Sequence, residues 1–255
     1  DLFIGTSSGS RTALHLACGA NHEEAFQRRL QPGPPSTERG GAVGWPALLE
    51  QLVQAKSDRR SPSEILKRYG ALALSAAAGQ DASNRRPTIT AQLPVRKWPS
   101  KKLMIVALSA ERGERRAFDV ASGIELVDAV IATTASFGWP PVLFEGEHYF
   151  DGGYYSTDNA DLADGFDRVM ILALKRPPEI PFLGIATLDD GVRFLEQNGS
   201  AVEVIQPDER ALEAFAGAGG LMSPRISAPA AIAGRKQGEL IAGGVAMFWE
   251  GTGVK

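Results

Sequence analysis

The 255 residues suffice for one large domain or two small ones, with a sizeable core. At 44% hydrophobic and 22% charged residues the composition is that of a globular protein, and a net charge of −3 argues against bulk nucleic-acid binding. No apolar run approaches the roughly 20 residues of a membrane span, and one cysteine, Cys18, excludes an internal disulfide framework or a multi-cysteine metal site.

The chain opens on Asp1-Leu2-Phe3-Ile4, an apolar strand that runs directly into Gly5-Thr6-Ser7-Ser8-Gly9-Ser10. Gly-x-Ser-x-Gly between a strand and a helix is the order of a nucleophile elbow: the backbone turns sharply and leaves a serine hydroxyl at a helix N-terminus. Gly5 and Gly9 are expected to be steric necessities, because side chains there would collide with the strand or the helix. The pattern alone arises by chance about 0.2 times in such a chain, so the flanking strand and helix carry the weight. A Gly/Ser-rich turn without chemistry is the plain alternative. A phosphate-binding loop is disfavoured, since no Lys follows the glycines. A strand this close to residue 1 needs neighbours, so part of the domain is expected to precede it, and the lack of a signal peptide says nothing about secretion.

Ser10 to Cys18 is a helix stopped by Gly19, and Asn21 with Glu24 is a capping pair opening a second helix through Leu30. Gln31 to Pro46, rich in Gly and Pro, is a long loop. A helix is expected over Ala47–Ala55, and Ser61-Pro62-Ser63-Glu64 starts another. Residues 80–101 hold Arg85, Arg86, Arg96, Lys97 and Lys101 around Trp98 and are expected to form a solvated loop. Beyond them strands alternate with helices. Leu103–Leu108 and Val169–Leu174 are buried strands, Arg115–Val120 an edge or hairpin partner, and Val142–Phe144 pairs with His148–Phe150. A helix face of Leu126, Val127, Val130 and Ile131 precedes Gly138, and Leu188–Gln197 is helical. The order indicates an α/β fold with a mostly parallel sheet.

A serine hydroxyl needs a base. Of the three histidines, His15 lies about 12 Å along the helix from Ser7 and His22 lies farther still. His148 is the imidazole candidate, with Asp119 or Asp128 as its acid. The other base is Asp151, in Tyr149-Phe150-Asp151-Gly152-Gly153-Tyr154-Tyr155. It ends a strand, and its aromatic neighbours would partly desolvate it and raise its proton affinity. Strand geometry puts His148 and Asp151 on opposite faces, so one of them faces Ser7. An Asp-Gly turn is the plain alternative for Asp151.

The nucleophile motif at Gly5–Ser10 and the Asp151-Gly152-Gly153 signature together resemble the patatin-like phospholipase family. The flanks at Val127–Ser136, Gly138–Val142 and Asn159–Ala163 agree, and Val204–Asp208 with Gly234–Gly238 is similar to bacterial members. The resemblance implies a three-layer α/β/α sandwich and a Ser–Asp dyad that hydrolyses acyl lipids without a metal or cofactor. By it Ser7 is the nucleophile and Asp151 its base. The N–H of Ser8 is one oxyanion donor at an elbow framed by Gly5 and Gly9, and Gly152, Gly153 and Asn159 support the aspartate loop. The family's Gly-rich oxyanion loop lies upstream of the nucleophile strand and is expected before Asp1. One domain over residues 1–255, with a helical and loop insertion at about 20–101, follows from this reading. So do an acyl-lipid or phospholipid substrate, peripheral membrane contact, no nucleic acid, and a cytoplasmic or membrane-peripheral location. Two other functions compete: a non-catalytic lipid- or partner-binding domain, and a Ser-His-Asp acyltransferase or thioesterase using His148.

Overall fold

The computed structural model describes residues 1–31, 45–57, 60–136, 138–175, 180–220, 223 and 225–251. Strand β1 (Leu2–Thr6) leads into helix α1 (Gly9–Ala17), which ends at Gly19 in the left-handed region. Helix α2 (His22–Leu30) starts at Asn21, whose side chain accepts from the N–H groups of Glu23 and Glu24. Most of the expected loop, residues 32–44, lies outside the described residues, and Trp45 and Pro46 open α3 (Trp45–Ser57). Helix α4 (Pro62–Ala76) carries the full capping box of Ser61 and Glu64, with Pro in its first turn.

The expected solvated loop over 80–101 is corrected by the structure. A 3-10 turn (Ala82–Arg85) and helix α5 (Arg86–Gln92) occupy its first half, because Ile89 and Leu93 bury against the core. Then follow β2 (Lys102–Ser109), β3 (Arg115–Phe118), α6 (Leu126–Thr133), β4 (Val142–Phe144) and β5 (Glu147–Asp151). The chain continues through β6 (Arg168–Leu172), α7 (Leu188–Gln197), β7 (Ala201–Ile205), α8 (Glu209–Gly217) and α9 (Ser227–Glu250).

The architecture is mixed α/β. Strand β2 is the hub: β1 pairs with it in parallel, β3 and β5 antiparallel, and β4 extends the sheet from β5. Strands β6 and β7 pair in parallel as a second sheet. The pairing of β1 and β5 with β2 decides the site. Thr6, the last residue of β1, lies opposite Val106, and Asp151, the last of β5, opposite Ala107. The two strands run in opposite senses along β2, so their C-terminal ends converge on adjacent register positions.

Alternation along β2 sorts the core. Leu103, Ile105 and Ala107 join Leu14, Ile89, Val130 and Tyr149 in one apolar cluster, whereas Leu108 joins Leu52, Leu66 and Phe150 in another. A third cluster gathers Val169, Ile171 and Leu195, with Ile4 packed against it. Each fully buried Leu or Ile contributes about 1.5–3 kcal/mol relative to exposure, which holds the backbone against the strain at the elbow described below. Among the described residues no helix is long and apolar enough to cross a membrane.

Candidate active site

At the end of β1 the chain turns at Ser7 with φ 51°, a left-handed conformation that costs a residue with a side chain about 1–3 kcal/mol. Four contacts over-determine it. The N–H of Ser7 donates to Thr133 Oγ1 (2.8 Å), its carbonyl accepts from Ser10 Oγ (2.6 Å) and Ser10 N–H (3.1 Å), and its hydroxyl donates to Asp151 Oδ2 (2.7 Å). Thr133 Oγ1 donates in turn to the Val106 carbonyl, tying the elbow to the hub strand.

A Cβ on Gly5 would sit 2.5 Å from Ser10 Cα and 3.0 Å from Ala13 Cβ, so the start of α1 lies directly over this glycine. Gly9 departs from expectation. A Cβ there would meet nothing within 4 Å, because Gly9 is exposed at the first position of α1 and faces neither strand nor helix. Gly5→Ala is therefore expected to cost about 2 kcal/mol or more, and Gly9→Ala no more than about 0.5 kcal/mol. Thermal melts of the two variants check the contrast.

Asp151 arrives from the other direction. Its N–H donates to the Ala135 carbonyl (3.2 Å), Oδ1 accepts from Gly153 N–H (2.8 Å) and Oδ2 from Ser7. The carboxyl group is buried, with 5% of the residue exposed, and this burial pushes its pKa up to about 6. Hydrogen bonds from Gly153 and Ser7 and the positive charge of Arg85 pull the other way. The paired glycines have separate reasons. A Cβ on Gly152 would lie 2.5 Å from the Val106 carbonyl oxygen, and one on Gly153 would lie 3.1 Å from Asp151 Oδ1 itself. Of the aromatic neighbours, Phe150 and Tyr154 pack together at 5.6 Å on the Leu108 side, while Tyr149 packs against Phe118 on the other.

Asn159 is fully buried with φ 47° and makes no cap to the turn that follows it. Its Nδ2 donates to Thr6 Oγ1 (2.9 Å) and the Ser156 carbonyl (2.6 Å), and its Oδ1 accepts from Arg115 (3.1 Å). It thus joins the last residue of β1 to the loop after Asp151. Arg115 also pairs with Asp161 and covers the Tyr155 ring at 4.0 Å.

His148 is not brought to Ser7. Its Nδ1 lies 2.7 Å from Glu111 Oε1, and its backbone N–H donates to the same carboxylate. Asp119 caps a 3-10 turn, and Asp128 pairs with Arg86. Among the described residues no group of three or more His, Cys, Asp or Glu side chains is placed to hold a metal. The geometry adds Thr133, Ala135 and Arg85, none of which the motifs mark. The one signal for Thr133 is a polar residue closing an otherwise apolar helix face.

A family model described as patatin-like phospholipase matches residues 1–164, which include Ser7, Asp151 and Asn159. The C-terminal runs around Val204 and Gly234 lie beyond the matched residues. A search of curated proteins gives no match.

Proposed function

Because the chain belongs to the patatin-like phospholipase family, we propose that it is a lipid acyl hydrolase with Ser7 as nucleophile and Asp151 as general base. The observation that carries this reading is the 2.7 Å hydrogen bond from Ser7 Oγ to Asp151 Oδ2. Ser7 attacks the ester carbonyl while its proton passes to Asp151, and the carbonyl electrons move onto oxygen. Since the N–H of Ser7 is engaged by Thr133, oxyanion stabilisation at the elbow falls to the N–H of Ser8, at the start of α1 where the helix dipole favours negative charge. Collapse of the intermediate expels the alcohol, which takes the proton from Asp151. Water then attacks the acyl-enzyme while Asp151 takes its proton; collapse breaks the bond to Ser7 Oγ, which takes that proton back from Asp151, and the fatty acid leaves. A carboxyl group with a pKa of about 6 suits both steps: it is mostly ionised at pH 7, yet a stronger base than an exposed aspartate.

We read the scaffold as a single domain with helices on both faces of the main sheet, a three-layer α/β/α arrangement, and residues 20–101 as an insertion between α1 and β2. The two apolar clusters flanking β2 support this. Substrate is an acyl lipid or phospholipid, met at the membrane periphery.

The test is fatty-acid release from phosphatidylcholine vesicles and from a p-nitrophenyl ester, comparing wild type with His148→Ala. Hydrolysis within about twofold of wild type is expected, because His148 serves Glu111. Loss of activity in that variant would transfer the role of base to the imidazole, and an inert wild type would favour a binding domain.

A further inference from the structure

Arg85 belongs to a basic stretch, yet only 6% of it is exposed. A guanidinium is seldom buried without several acceptors. Its Nη1 donates to the Thr134 carbonyl (3.2 Å) and the Ile131 carbonyl (3.4 Å), and its Nη2 to Thr134 Oγ1 (3.2 Å). The guanidinium also lies over the Trp139 ring at 4.7 Å. A fixed cation therefore holds the C-terminal turn of α6, where the helix dipole is negative, as a further donor to carbonyls that also accept from Thr134 and Ser136.

That turn is also where both members of the Ser–Asp pair are tethered. Thr133 Oγ1 accepts the N–H of Ser7, and the Ala135 carbonyl accepts the N–H of Asp151. We propose that Arg85 is a positioning residue for the Ser7–Asp151 pair, clamping the turn from which both are hung and supplying the site with a permanent positive charge. The inference rests on the dyad reading given above.

The surroundings of Asp151 make the charge separable from the clamp. The elbow contributes the Ser7 hydroxyl, and the turn after β5 contributes the Gly153 N–H. Helix α4 brings Tyr69 against the Tyr154 ring, with its hydroxyl donating to the Leu183 carbonyl, and burial pushes its phenol far above the ordinary range. Val106 and Ala107 of β2 and Ala135 after α6 carry no charge. Burial, and then Arg28, Arg29 and His22, hold His15 on α1 below its ordinary range. Among the described residues, Arg85 is the charged side chain whose field reaches the carboxylate, and it favours the ionised form.

The experiment is the pH profile of kcat/KM from pH 5 to 9 on the p-nitrophenyl ester, for wild type, Arg85→Lys and Arg85→Met. The expected result for Arg85→Met is an acid limb moved to higher pH, with about a tenfold larger loss at pH 5.5 than at pH 8.5. Arg85→Lys keeps the charge but not the fork, so it is expected to lower the rate while leaving the limb near its wild-type position. A uniform fall at every pH in Arg85→Met, or no fall, overturns the proposal. If Arg85→Met does not fold, Arg85→Gln takes its place under the same criterion. An inert wild type would count against the dyad reading instead. The Asp151 carboxyl would then be titrated directly by carbon NMR in the full chain, where an unshifted titration in the Met or Gln variant overturns the role of Arg85.

Discussion

Replacing Ser7 with Ala is expected to lower ester hydrolysis by at least about 10⁴-fold, because the covalent step is lost and only binding and the oxyanion donor remain. The fold should survive. The backbone contacts that hold the φ 51° turn, Thr133 Oγ1 on the N–H and Ser10 on the carbonyl, do not involve the hydroxyl. What Ser7→Ala removes besides the nucleophile is one donor to a buried carboxylate. The Ser7 hydroxyl holds the proton affinity of Asp151 down, so its loss raises that affinity further and costs about 1 kcal/mol at neutral pH. The expected signature is near-zero turnover, with a melting temperature lowered by a few degrees at pH 8 and less at pH 4. An unfolded variant would mean that the hydroxyl is part of the framework rather than of the chemistry.

Asp151→Asn is expected to do the reverse to stability while also silencing the enzyme. Removal of a general base costs about 10²–10⁴-fold, and an amide cannot take the serine proton. The direction on stability follows from linkage. The folded-state pKa of about 6 lies above the ordinary 3.8, so the unfolded chain gives up its proton first as pH rises. Stability is then complete below about pH 4 and declines as pH rises through 6. Above that, the buried charge costs on the order of 3 kcal/mol. Asn carries no charge, and its Oδ1 can still accept from Gly153 N–H. The variant should therefore melt up to about 10 °C higher than wild type at pH 8 and at nearly the same temperature at pH 4. An inactive variant destabilised at both pH values would contradict this account of the carboxylate.

What was legible in the sequence divides by how far along the chain each determinant reaches. Local rules carried well: the Ser61–Glu64 capping box, the Asn21 cap and the elbow between strand and helix all formed as their spacing requires. The two hairpins gave antiparallel pairs at short turns, whereas β6 and β7, joined through α7, pair in parallel. The reach from Ser7 to Asp151 spans 144 residues. Two motifs suggested it, but only the register of β1 and β5 against β2 explains it.

Arg85 was not legible because nothing local separates it from Arg86 next door. Arg86 pairs with Glu125 and Asp128 at a partly exposed position, whereas the partners of Arg85 are carbonyls 46 and 49 residues away. Thr133 has the same difficulty, since its donor lies 126 residues upstream. Gly9 misled in the opposite sense. Its place in a motif implied crowding, and the space around it is open.

The proton-accepting role of Asp151 is tested most directly by the rate at which a fluorophosphonate probe labels Ser7 between pH 4 and 9, with the adduct located by mass spectrometry. Wild type and His148→Ala should both rise through about pH 6 to a plateau, and Asp151→Asn should be slower by about 10²-fold or more across the whole range. A rise through pH 6 that persists in Asp151→Asn and vanishes in His148→Ala would contradict the account.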